Sequence, residues 1–79
     1  MSEENKIFVA GLSTTTTTEG LSAYFSKFGE VSFCNIALRP DGSSRCFGFV
    51  TFKDSYVCKQ VLAKVHVLDR RQVRNTILA

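Results

Sequence analysis

Seventy-nine residues hold one hydrophobic core and leave no room for a second lobe, and with 44% hydrophobic and 11% aromatic residues the chain has enough apolar surface to offset the entropy of ordering it, so disorder is excluded. Apolar runs are only a few residues long and the start, MSEENK, is acidic and polar, so neither a membrane span nor a secretory leader is expected. The net charge of +3 is uneven: residues 1–38 carry two lysines against four glutamates, whereas residues 39–79 carry eight Lys and Arg against three Asp, an excess that suits an anionic partner such as nucleic acid but also occurs on ordinary solvated surfaces.

Residues 1–5 read as a polar tail, and residues 6–79 as a single domain. KIFVAGL, residues 6–12, is a β-rich run that ends at Gly11 and passes into serine and threonine, which predicts a strand and then a loop. Thr16 or Thr17 is placed to cap a helix, and Thr16 with Glu19 has capping-box spacing. Leu21, Phe25 and Phe28 follow at i, i+4 and i+7, and Gly29 is a stop signal, so the helix is expected over about 17–28.

VSFCNIALR, residues 31–39, alternates as a second strand, and Pro40-Asp41-Gly42 supplies turn chemistry after it. RCFGFVTFK, residues 45–53, is a third strand. Asp54 or Ser55 then caps a helix ending near Lys64, with Val57, Val61, Leu62 and Val65 on one face. His66 to Leu68, a turn at Asp69-Arg70 and Arg71 to Ile77 form a small hairpin feeding a fourth strand. The order is βαββαβ, an α+β arrangement in which two short helices cover one face of an antiparallel sheet and leave the other to solvent.

Alternation shows what the open face carries. In the third strand Cys46, Gly48, Val50 and Phe52 form one set, and Arg45, Phe47, Phe49, Thr51 and Lys53 the other. The second set belongs in water, yet it places two phenylalanines between cations. In the first strand Ile7 and Val9 suit a core while Lys6, Phe8 and Ala10 share the other face. The result is a platform of Phe8, Phe47 and Phe49 bordered by Lys6, Arg45 and Lys53, with Arg39 and Arg74 as further candidate contacts. Bases stack on such rings for roughly 1–3 kcal/mol each, and cations hold phosphates. The alternative is that these rings dock a terminal helix, a peptide or a partner domain, against which the intact rings on both strands argue.

RCFGFVTF, Arg45 to Phe52, resembles the ribonucleoprotein octamer of the RNA-recognition-motif family, and IFVAGL, Ile7 to Leu12, resembles its companion hexamer. The similarity extends through LSAYFSKFGEV, FVTFKD, VLA and H-x-L-D, and is nearest to the Musashi and hnRNP A/B branch. The resemblance implies a ferredoxin-like sandwich with a four-stranded sheet that binds single-stranded RNA in mRNA processing, stability or translational control. It assigns Phe8, Phe47 and Phe49 as stacking rings and Arg45 and Lys6 as flanking phosphate or base contacts. Single-stranded DNA is a further ligand to test, the expected state is a monomer, and the expected place is the nucleus, the cytoplasm or both. Four departures stand out. Cys46 replaces a glycine of the octamer on the core side, as a change of packing, and Arg70 replaces the glycine of an L-D-G-R turn, as a source of strain. The segment RPDGSSR is short, and the chain leaves the last strand as NTILA.

Other classes find little support. No paired carboxylates on the open face, metal-ligand spacing or Walker-type glycine loop is present, so no enzyme, cofactor, small-molecule substrate or membrane partner is expected. His66 is the lone histidine, with a structural or surface role. Cys34, Cys46 and Cys58 are odd in number and lack a CxxC pair, which fits small inward-facing side chains in a reducing compartment, not a disulfide framework or redox sensors.

Overall fold

The computed structural model describes residues 5–77; residues 1–4 of the expected polar tail and the last two residues of NTILA lie outside them. The elements are β1 (Lys6–Ala10), α1 (Thr18–Phe25), β2 (Val31–Leu38), β3 (Ser44–Phe52), α2 (Ser55–Leu62), β4 (His66–Leu68) and β5 (Arg71–Ile77). They form one antiparallel sheet in the order β2-β3-β1-β5-β4. The sheet therefore has five strands where four were expected. The reason lies in the length of β5: Arg71, Gln72 and Val73 pair with β4, whereas Arg74 to Ile77 pair with β1, so the hairpin contributes a short strand of its own.

Helix starts follow from local hydrogen bonding. Thr17, in extended conformation, accepts the Gly20 N–H at 3.0 Å and caps α1, and Asp54 accepts the Tyr56 N–H at 2.9 Å and caps α2. The expected Thr16–Glu19 capping box does not form, because Thr16 is buried and its hydroxyl donates to the Asp69 carboxylate at 2.5 Å. That bond ties the loop after β1 to the β4–β5 turn. The α1 helix closes three residues earlier than expected. Past Phe25 the Lys27 and Phe28 N–H groups reach back only three residues, to Tyr24 and Phe25, which tightens the last turn while Phe28 still packs against the core. Val65 is corrected too: α2 ends at Leu62, leaving Val65 72% exposed, and Cys58 joins Val61 as the buried side chains of that helix.

The core lies between the helices and the inner sheet face, with Ile7, Val9, Leu21, Phe25, Val50 and Phe52 fully buried. His66 is pinned within it. Its Nε2–H donates to the Val61 carbonyl at 2.8 Å, since a carbonyl only accepts, and Nδ1 meets the Tyr24 hydroxyl at 2.8 Å. The rings of Tyr24, Phe25 and Phe28 surround it with centroids 5.0–5.5 Å away. The lone histidine thus joins α1, α2 and β4, in a structural role.

Gly48 lets β2 lie close on β3. A Cβ there would fall 2.5 Å from the backbone oxygen of Asn35, a separation that only displacement of the neighbouring backbone would relieve.

Candidate nucleic-acid interface

Strand register builds the open face row by row. Asn35 lies opposite Phe49, which lies opposite Phe8; Phe47 lies opposite Ala10, which lies opposite Arg74; and Phe33 lies opposite Thr51, which lies opposite Lys6. Directly opposed residues share a face, and the partners buried beneath are Ile7, Val9, Val50 and Phe52. The expected alternation of β1 and β3 is therefore observed residue by residue.

The three rings form one cluster. Phe8 stands 5.4 Å from Phe47 and 5.5 Å from Phe49 between centroids, and Phe47 stands 6.3 Å from Phe49. All three are partly buried, held by one another and still open to solvent. Lys6 Nζ lies 5.0 Å from the Phe49 centroid and the Arg45 guanidinium 5.1 Å from that of Phe47, so each motif strand brings one cation over a ring. Such a surface offers flat apolar faces at a spacing fixed by the sheet, with positive charge at its margins.

The remaining candidate cations separate. Arg74 extends the platform onto β5 beside Ala10. Lys53, just past the end of β3, pairs with Glu30 at 2.9 Å, which offsets its charge. Arg39 donates from Nη1 to the Ser44 carbonyl at 3.2 Å and belongs to the β2–β3 turn, where the Gly42 N–H returns to the Arg39 carbonyl and Asp41 accepts from the Ser43 N–H and hydroxyl. Those two bonds from Ser43 hold the Asp41 carboxyl below its ordinary range.

The platform is also shaped by backbone strain. Cys46 has φ of +65°, its N–H donates to the Ser44 hydroxyl at 2.9 Å, and its carbonyl accepts from the Leu12 N–H at 2.9 Å. Here the register between Ile36 and Leu38 on β2 spans Gly48 to Ser44 on β3, so β3 carries extra residues in a bulge. Bulges bend a strand and re-aim its side chains, and this one lies between Arg45 and Phe47. Packing of Cys46 against the core is as expected; its left-handed backbone is what a glycine would accommodate without strain.

Two features were not anticipated. Phe33 on β2 is a fourth aromatic residue on the open face, 59% exposed, and its signal was the alternation of β2 itself, in which Cys34 and Ile36 turn inward. The second is a hollow of about 530 Å³ beside β5, lined by Phe8, Ala10, Leu62, Lys64, Val65, Gln72, Val73, Arg74 and Asn75. It brings the α2–β4 loop beside the sheet, a proximity that no local pattern encodes. Within it the buried Oδ1 of Asn75 has no hydrogen-bond partner.

The thiols have the character of packing groups. Burial pushes the Cys34 thiol up to about 11 and raises that of Cys58 as well, the opposite of an activated cysteine.

The family model for the RNA recognition motif matches residues 7–74. The chain belongs to that family. Its curated relatives include a heterogeneous nuclear ribonucleoprotein D-like protein of Xenopus tropicalis, 45% identical over 73 residues that cover 90% of this chain and 25% of that protein. Heterogeneous nuclear ribonucleoprotein 27C of Drosophila melanogaster is 45% identical over 73 residues, 90% of this chain and 17% of its own length. This RNA recognition motif thus spans a quarter or less of these relatives, which lie on the hnRNP side of the expected branch. Among solved structures, the RNA binding domain of Hrp1 in complex with RNA matches with a TM-score of 0.91 and 33% identity over 99% of this chain and 47% of that one.

Proposed function

We propose that the open sheet binds single-stranded RNA, stacking bases on Phe8, Phe47 and Phe49 while Lys6, Arg45 and Arg74 hold phosphates or base edges. The observation that carries this reading is the ring trio, with centroids 5.4–6.3 Å apart and a cation on each motif strand. Hrp1, solved with RNA bound, supports it through the shared fold. Three stacked bases contribute roughly 3–9 kcal/mol before ordering costs, which makes one such motif a micromolar binder at best. The similarity to hnRNP proteins supports a role for the bound RNA in mRNA processing, stability or translational control, in the nucleus or cytoplasm. Stacking is indifferent to the sugar, so single-stranded DNA is a further ligand of the same surface, and the binding unit is a monomer.

The test is titration of the protein with randomised single-stranded RNA and matched DNA pools, read by amide chemical shifts at two salt concentrations. Shifts should concentrate at Phe8, Arg45, Phe47 and Phe49. Affinity should fall with salt at a log–log slope of about −0.7 per phosphate contact. The double variant Phe47→Ala/Phe49→Ala should retain the fold and lose roughly 2–6 kcal/mol of binding. Unchanged affinity of that variant would sink the reading, and salt-insensitive binding of a peptide on the same face would replace it with a protein-docking role.

A further inference from the structure

The two edges of the sheet are guarded differently. At one edge β4 is three residues long, with Lys64 before it and Arg70 and Arg71 after it; short strands and nearby charge are the usual protection against pairing with another chain. At the other edge β2 is eight residues long and carries no charge, proline or glycine from Val31 to Leu38. A register shift between Val31 and Phe33 disturbs its start, but from Phe33 to Ile36 it runs in step with β3. Among the described residues no strand covers its outer side, where alternate N–H and C=O groups point away from β3. Phe33 and Leu38 on this strand are 59% and 61% exposed. The strand is nonetheless held firmly: Cys34 and Ile36 pack against the core, and the Cys34 thiol donates to the Thr18 carbonyl at 3.8 Å.

We propose that the outer edge of β2 pairs antiparallel with β2 of a second copy of this chain, about a two-fold axis through Asn35. Three features favour a second copy as the occupant. The first is register. Opposed residues share a sheet face, so self-pairing must centre on a residue, and centring on Asn35 sets Phe33 opposite Ala37 of the second copy and Cys34 opposite Ile36. Each exposed ring then lies across from a small side chain. The two exposed Asn35 amides, each both donor and acceptor, face one another at the axis. The second feature is neutrality: with no charge from Val31 to Leu38, no like charges meet within the paired segment. The third is the sign of the flanks. Glu30 precedes β2 and Arg39 follows it, both exposed, and antiparallel self-pairing brings Glu30 of each copy beside Arg39 of the other, twice by symmetry. Glu30 accepts from Lys53 at 2.9 Å through Oε2, which leaves Oε1 to face that guanidinium. Each copy keeps its own ring platform, so the RNA-binding unit is still one chain, and the two open faces lie on the same side of a continuous sheet. So narrow an interface is well below standard size, and association is weak, with a Kd on the order of a millimolar.

The test is sedimentation equilibrium of the protein without RNA at low salt, from tens of micromolar to about a millimolar, with amide spectra recorded over the same range. The mean mass of the wild type should rise from one chain toward two, and the concentration-dependent shifts should fall on residues 31–39. Asn35→Lys and Asn35→Asp each set like charges face to face at the axis and should associate roughly 2- to 5-fold more weakly than the wild type. An equimolar mixture of the two variants sets opposite charges there and should associate more strongly than either alone. A wild type that remains one chain at every concentration would overturn the proposal. So would shifts centred on Phe8, Phe47 and Phe49, which would place the contact on the ring platform, and so would a mixture no tighter than its components, which would remove the two-fold at Asn35. The wild-type mass and shifts decide the matter even if a variant fails to fold.

Discussion

Three non-glycine residues, Cys46, Asp69 and Arg70, hold backbone conformations that glycine would occupy more cheaply. Arg70, with φ of +66°, follows Asp69, with φ of +49°, in the two-residue turn between β4 and β5; both central residues at positive φ is the arrangement whose twist matches an antiparallel hairpin. Asp69 tolerates it and has a second use, since its carboxylate receives the Thr16 hydroxyl. Arg70 has no such compensation in the turn. An L-residue in this region costs about 1–2 kcal/mol, and the extra freedom glycine brings to the unfolded chain returns about 0.5–1 kcal/mol of that. Arg70→Gly should therefore stabilise the protein by about 0.5–1 kcal/mol, raising Tm by roughly 2–8 °C in a thermal melt. Cys46→Gly relieves similar strain but gives up the sulfur's packing against the core, so its melt should move less than that of Arg70→Gly. Cys46→Val should lower Tm, because a β-branched side chain fits φ of +65° worst.

At the scale of elements, the close side-by-side approach of β2 and β3 depends on Gly48. Gly48→Ala would set a methyl group 2.5 Å from the Asn35 carbonyl oxygen, and relief requires β2 to move. The expected cost is about 1–3 kcal/mol, measured by urea unfolding. Why much of this was legible in advance, and some not, is visible in the same strands. Alternation with period two placed Phe8, Phe47 and Phe49 on one face without any coordinates, since side-chain direction in a strand is a local property. The same rule puts Phe33 of β2 on that face, since Cys34 and Ile36 turn inward. Backbone dihedrals are not part of a hydrophobic pattern, so Cys46 read as a packing residue only. Pairings between distant segments were equally hidden: of the two candidate caps Thr17 caps α1 while Thr16 bonds to Asp69, Lys53 also meets Glu30, and β5 divides its partners between β1 and β4.

At the scale of the whole molecule, the partly buried Cys34 and the buried Cys58 make stability fall at alkaline pH. The Cys34 thiol is pushed up to about 11 by burial, and that of Cys58 is raised in the same direction. Between the ordinary thiol range and these values the unfolded chain releases protons that the folded chain retains, so unfolding gains with each step in pH. Stability from this source should be fully present below about pH 8.5, then fall as pH rises toward 11. Urea midpoints measured from neutral to alkaline pH should decline over that window, and Cys34→Ala should flatten the decline. The same shift makes Cys34 slow toward thiol reagents at neutral pH in the folded protein and fast once it is unfolded.

The sheet order has a consequence for how the chain is made. Its middle strand, β1, leaves the ribosome first, yet both of its neighbours come later: β3 begins at residue 44 and β5 at residue 71. A nascent chain that has reached α2 can zip β2, β3 and β1 into a three-stranded fragment, but one side of β1 stays bare until the last strand emerges. The sheet of this motif thus grows outward from its middle strand, first on the β3 side and last on the β5 side, and a ribosome paused before residue 71 would hold the free edge of β1 open to pairing with another chain.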